Sequence, residues 1–198
     1  QGGKNMKEYE LIQMAKKIAL DGKNLDRKNI IRLLGIDPYS PVAEKLGDAA
    51  REVAAKVAKN QAGIWAAIGV DYKACQMNCD FCSLGARWNI AHNENEWNPD
   101  KIIQAANYFV SMGARWITLR TTQFYGLDKL IDIVRKIRTY VPGEYKIVVN
   151  TGEFDTDSAN RLYDAGAQAA YHSLRLREGI HTKFTCEERR MTLQAVQD

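Results

Sequence analysis

Three cysteines sit within eight residues, in the run Cys75-Gln76-Met77-Asn78-Cys79-Asp80-Phe81-Cys82, and the fourth, Cys186, is more than a hundred residues away. A disulfide framework spreads its cysteines to close long loops, whereas clustering at short spacing points to metal or redox chemistry in a reducing compartment. Three thiolates at spacings of four and three can converge on one centre. An iron–sulfur cluster is ordinarily held by four cysteinates. A loop that offers three leaves one iron without a protein ligand, and an open metal position is where a small molecule binds. The competing reading is a structural zinc site, which needs a fourth ligand from Cys186, His92 or His172. Structural zinc loops usually come as paired Cys-x2-Cys knuckles, and here there is one such pair. A third reading is an electron-transfer or sensing iron–sulfur protein without a substrate.

The elements around this loop change character along the chain. Lys7 to Leu20 carries Leu11, Ile12, Met14, Ala15, Ile18 and Ala19 at helical spacing. Asp26 is placed to cap a short helix bearing Ile30, Ile31, Leu33 and Leu34, stopped by Gly35. Ser40-Pro41 reads as an N-cap followed by proline at the first helical position, opening an alanine-rich helix to about Lys59. No strand separates these helices, so residues 6–62 are expected to form an N-terminal helical extension. Residues 1–5 precede the first methionine and are expected to be a tag remnant.

From residue 63 the pattern becomes βα. Ile64 to Val70, Arg115 to Arg120, Tyr145 to Val149 and Gln168 to Leu174 read as strands. Helices follow, from Asn98-Pro99 to Gly113, from Leu127 to Pro142-Gly143, and from Asp155 to Gly166. A last one opens at Thr185 or Glu187 and still runs at Asp198. Strands alternating with helices imply a parallel sheet covered by helices. The fold class expected is α/β, a partial TIM-type barrel of parallel strands with about four βα units visible. A closed barrel needs about 250 residues, so residues 63–198 are expected to be its first half, continuing beyond residue 198. The cysteine loop then follows the first strand, at the C-terminal mouth where barrel enzymes place their chemistry.

Composition narrows the class. The chain has 198 residues, 45% apolar and 26% charged, with a net charge of +4. The basic residues are mixed with acids along the helices, so no nucleic-acid stripe is evident. No apolar run approaches the roughly 18 residues of a membrane span, and the N-terminus has no secretory core. A cytoplasmic location is expected.

Cys-x3-Cys-x2-Cys with an aromatic residue, Phe81, before the last cysteine resembles the signature loop of the radical S-adenosylmethionine superfamily. The resemblance implies a [4Fe–4S] cluster on Cys75, Cys79 and Cys82. It also implies that the amine and carboxylate of S-adenosylmethionine chelate the open iron. Reductive cleavage would give a 5′-deoxyadenosyl radical that takes hydrogen from a small precursor, with a flavodoxin- or ferredoxin-like donor supplying the electron. Phe81 would pack on the adenine. Thr122 and Gln123 stand where the family carries a Gly-Gly-Glu-like segment that meets the methionine amine. Asn150-Thr151-Gly152-Glu153 resembles the Leu-Gly-Glu-type strand end of the maturase and biotin synthase branch, so Asn150 and Glu153 would face cofactor or substrate. Tyr171-His172-Ser173-Leu174-Arg175 resembles the Asn-His-Asn-Leu-Asp segment that contacts the ribose, with Ser173 and Arg175 as replacements; Arg175 or Arg177 would reach the methionine carboxylate. Thr182 to Leu193 resembles the Thr-Tyr-x-Glu-Arg-x-x-Thr-Leu segment of biotin synthase. There an arginine helps hold the carboxylate, and Lys183 is the basic residue expected in that part. Glu187, Glu188, Arg189 and Arg190 read as a solvated helix face. The best match is the branch of biotin synthase, thiazole-forming tyrosine lyase, methylornithine synthase and hydrogenase maturases, with cofactor biosynthesis as the implied setting. No catalytic residue can be named. A small-molecule substrate is expected, with neither nucleic acid nor membrane as partner. A homodimer or a separate polypeptide would complete the barrel.

Overall fold

The computed structural model describes residues 2–59 and 61–197; the tag reading for Gln1 and the helix reading for Asp198 lie outside them. The chain divides into two compact units, Gln1–Ala62 and Gly63–Asp198.

The first unit holds three helices, α1 (Gly2–Leu20), α2 (Arg27–Leu34) and α3 (Pro41–Val57). The start signals work as the residue types dictate. Asp26 accepts from the Asn29 amide, and Ser40 accepts from the Ala43 amide ahead of Pro41, each satisfying a helix-end donor that has no partner inside the helix. Ile12, Ile36, Val42 and Ala49 form its core. Met14 is exposed, and α2 buries no residue although it is apolar on paper.

The second unit is a four-stranded sheet in the order β1 (Ile64–Gly69), β4 (Ala114–Arg120), β5 (Lys146–Asn150), β6 (Ala167–Ala170), every neighbouring pair parallel. Crossover helices α4 (Pro99–Ser111), α5 (Leu127–Tyr140) and α6 (Thr156–Ala165) link them, and α7 (Cys186–Gln197) follows β6. Four βα units are therefore present. Side chains alternate between the two sides of a strand. Ile68, Ile117, Leu119, Ile147 and Val149 turn to the helices and make the core with Ile102, Leu130, Val134, Ile137 and Leu162. Near-continuous apolar strands are what a parallel sheet requires. A small antiparallel pair, β2 (Asp71–Tyr72) with β3 (Asn95–Glu96), brackets the segment that holds the cysteines.

The fourth strand is shorter than the sequence suggests. Tyr171 donates its amide to Val149, and the chain then leaves the ladder for a turn over residues 176–181. The extended alternation expected for Arg175 and Arg177 does not form, and Arg177 has a left-handed φ of 48°.

Candidate functional site at the mouth of the sheet

The cysteine loop is closed by its own backbone. Cys75 donates its amide to Leu84 (2.7 Å) and accepts from Ala86 (3.0 Å) and Asn78 (3.2 Å). The Cys82 amide bonds to Cys79 (3.2 Å), and Gly85 to Cys82 (3.0 Å). Asn78 takes a left-handed φ of 52°, which asparagine tolerates, and its side-chain oxygen accepts from the Arg87 amide. Arg87 also binds the Asp80 carboxylate, and Asp80 reaches His181 Nδ1 at 2.6 Å. Together these bonds fix where the three thiols stand.

All three thiols line one cavity of about 440 Å³ at the C-terminal ends of the strands, Cys79 buried and the other two half-buried. Its wall also includes Phe81, Thr122, Asn150, Ser173 and Arg175. Burial pushes the Cys79 thiol up, and the positive charge of Arg175 pulls the other way. Among the described residues, no three His, Cys, Asp or Glu side chains are gathered to grip a single metal ion. A [4Fe–4S] cluster makes a different demand, since each thiolate takes its own iron. Three cysteines and a guanidinium on one cavity wall are residues of the kind that group would take. Cys186, the fourth ligand a zinc site would need, is exposed at the start of α7 and lies off the cavity wall.

The strand ends are tied to one another. Asp71, just after β1, accepts from the Thr122 amide (2.7 Å) and hydroxyl (2.5 Å). Thr121 bonds to Thr151 at 2.9 Å, and Asn150 donates to the Tyr171 carbonyl at 2.8 Å. Gly152 is required by space: a Cβ there would stand 2.0 Å from the Gln123 carbonyl oxygen.

Behind the cavity lies a buried charge network that sequence reasoning did not find. Arg189, on α7, is fully buried. Its Nη1 binds Glu153, and its Nε bonds to Glu178 at 3.0 Å, an acid whose side chain is also fully buried. Its Nη2 has no partner among the described residues. Glu153 further accepts from Thr192 (2.6 Å) and, through a neutral Nε2–H, from His172 (3.0 Å). His172 stays neutral because burial first, and the nearby Arg175 second, hold its pKa below the usual value. Glu178 also accepts from the Arg175 amide and the Thr182 hydroxyl. Gln123 bridges this network to the cavity wall, to which it belongs.

Of the residues expected from sequence, Phe81, Thr122, Gln123, Asn150, Ser173, Arg175 and the three cysteines come together on one cavity wall. Glu153 lies behind it in the network. Lys183 is exposed and off the wall, so the buried cation supplied by this part of the chain is Arg189. The solvated-face reading of residues 187–190 holds for three of them and fails for Arg189. The signal was the helical spacing of Arg189, Thr192 and Ala195, all three of them buried.

No protein-family model matches the sequence, and no curated protein matches it either. Solved structures do match. The crystal structure of HydG, a maturase of the [FeFe]-hydrogenase, superposes with a TM-score of 0.73 at 13% identity, covering 98% of this chain and 47% of that one. Methylornithine synthase (PylB) gives 0.70 at 15% identity, covering 92% and 55%. HydG from Carboxydothermus hydrogenoformans gives 0.62 at 18%, covering 84% and 38%. The chain thus spans about half the length of the structures it matches. At such identities the likeness is one of fold: the parallel βα sheet of this chain matches part of a TIM-barrel-like fold.

Proposed function

We propose that the chain is the cluster-binding half of a radical S-adenosylmethionine enzyme acting on a small precursor, in cofactor biosynthesis. One observation carries this reading: the thiols of a Cys-x3-Cys-x2-Cys loop share a cavity at the C-terminal mouth of a parallel sheet. When bound, the cluster and S-adenosylmethionine would supply the radical chemistry that takes hydrogen from the precursor.

The protein's own residues bind and orient. Cys75, Cys79 and Cys82 would hold three irons. Arg175, beside the Cys79 sulfur, lowers the cost of collecting thiolates in one place. Phe81, at the rim, offers a flat apolar surface to the adenine. Thr122, held by Asp71, and Gln123, held by Glu153, would meet the amine end of the cofactor. Asn150 and Ser173 would meet its hydroxyl groups. Arg189 has a spare Nη2 donor and supports the wall through Gln123. The remaining barrel, from further polypeptide or a second copy, would close the site. A flavodoxin- or ferredoxin-like donor would reach the cysteine loop from solvent. Among the described residues no helix is long and apolar enough to cross a membrane. The chemistry of clustered thiols suits the cytoplasm.

Anaerobic reconstitution tests the reading. About four irons and four sulfides per chain, with charge-transfer colour lost on replacing any one of the three cysteines by alanine, is the expected result. A protein carrying the complete barrel should then release 5′-deoxyadenosine from S-adenosylmethionine under reductant. A colourless chain binding one zinc, or an intact cluster that never yields the nucleoside, would overturn it.

A further inference from the structure

The cysteine segment is an excursion from the short antiparallel pair. β2 runs into it at Lys73, and β3 receives it after Glu94, so whatever fixes β2 against β3 fixes both ends of the loop. Two acids stand directly opposite each other on this pair, Asp71 on β2 and Glu96 on β3. Like charges in that position repel, and each carboxylate is matched by partners of its own. Asp71 holds the Thr122 amide and hydroxyl. Glu96 accepts at Oε2 from Lys73 Nζ (2.6 Å), and at Oε1 from Tyr125 OH (3.3 Å) and Lys129 Nζ (3.1 Å).

Glu96 therefore touches three segments: the residue that leads into the cysteines, the loop that carries Thr122 and Gln123, and the first turn of α5. That loop is gripped at both ends, by Asp71 at Thr122 and by Glu96 at Tyr125. It closes on itself through the Tyr125 amide and the Thr122 carbonyl (3.3 Å). The neck of the cysteine segment has a further tie, from the Ala74 amide to Glu94 (2.9 Å). Stability is a poor reason for this arrangement. The Glu96 side chain is 28% exposed and that of Lys73 39%, and pairs so wet contribute little to folding. Tyr125 is a directed contact: burial first, and the Glu96 charge second, push its phenol up, so it stays protonated and donates.

We infer that Glu96 is a positioning residue, which sets the spacing between the cysteine loop and the Thr122–Gln123 wall through Lys73 on one side and Tyr125 on the other. The inference rests on the proposed site, where one end of the cofactor would meet both the cluster and that wall. Two loops free to shift would have to be ordered at every binding event, which weakens affinity. The β2–β3 bracket orders them in advance, although Glu96 itself lies off the cavity wall.

Amide hydrogen exchange on the unloaded chain tests the coupling without a cluster. Glu96→Ala is expected to speed exchange at least about fivefold in residues 74–86 and in residues 121–126 alike. Lys73→Met should loosen the first stretch alone and Tyr125→Phe the second alone. Urea midpoints followed by tryptophan emission should stay close to that of the unaltered protein; all four tryptophans lie in the second unit. A change confined to residues 94–98, or one spread evenly over the second unit, overturns the inference. Equilibrium dialysis of S-adenosylmethionine against the reconstituted, unreduced protein carrying the complete barrel is the second measurement. Glu96→Ala should raise the Kd at least about tenfold at unchanged iron content, and Glu96→Gln, which can still accept from Tyr125, should recover part of it. An unchanged Kd with both loops loosened also overturns the inference. A failed reconstitution with the exchange pattern intact would instead sink the cluster reading and leave the coupling of the two loops standing.

Discussion

Replacing Arg189 by methionine should unfold the second unit far more easily than any exposed change of charge. The substitution keeps much of the volume and removes only the guanidinium. It strands the Glu178 side chain, which is fully buried, and Glu153, which is 16% exposed, with no cation between them. It also removes the cation held 5.0 Å over the Phe184 ring, worth about 0.5–1 kcal/mol. Removing one partner of a buried pair costs about 3–5 kcal/mol, because the other charge is left unpaired in low dielectric. An exposed pair is worth at most about 1 kcal/mol. The two situations are thus separable by a single urea titration followed by tryptophan emission, which reports the second unit alone. Arg189→Met combined with Glu153→Gln and Glu178→Gln should regain most of the loss, since replacing a whole buried ion set by neutral groups is close to neutral. If Arg189→Met costs under about 1 kcal/mol, or if the triple variant is no better than the single one, the network is not what holds α7 to the strand ends.

Three further outcomes follow from the same geometry. Gly152→Ala places a Cβ against the Gln123 carbonyl backbone, which cannot yield without moving a strand end, and should cost about 1–3 kcal/mol in the same titration. Asp71→Ala leaves the Thr122 amide and hydroxyl without their acceptor and should cost about 1–3 kcal/mol, whereas Asp71→Asn, which can still accept, should cost less. His172 is held neutral with its pKa below the ordinary 6.5, so the unfolded chain binds its proton first. Its contribution is therefore full above pH ~6.5 and is lost as pH falls through the lower folded value. Urea midpoints of the protein and of His172→Asn should converge as pH is lowered from neutrality.

The βα order was legible because each signal had a local cause. Caps at Asp26, Ser40 and Asn98 name helix starts by side-chain chemistry, and the apolar runs at Ile117–Leu119 and Ile147–Val149 name buried strands by their lack of alternation. The cysteine loop was legible for the same reason, since its spacing is short. What sequence hid depended on contacts between distant segments. The end of β6 is set by where β5 stops offering partners, so a strand read through Leu174 ends at Ala170. Arg189 stands among charged neighbours, three of them exposed, and only the approach of Glu153 and Glu178 from two other loops makes its burial tolerable. Lys183, the nearer basic residue in sequence, has nothing to bury it.

The charge network and the cysteine loop are two ends of one device, and Arg175 joins them. Its backbone amide is fixed by Glu178, which also holds Arg189 and Thr182. Its guanidinium bonds to Gln123 Oε1 at 3.4 Å and pulls the Cys79 thiol down against the larger upward push of burial. A surface arginine could swing away from the thiolates, but one anchored at its backbone to a buried acid can move only from its side chain. The cation beside Cys79 is thereby held in place, where it offsets part of the upward push that burial gives that thiol. Two fully buried ionic side chains, Arg189 on α7 and Glu178 in the turn after β6, thus hold the backbone of a cation beside Cys79, at the cost in stability that buried charges carry.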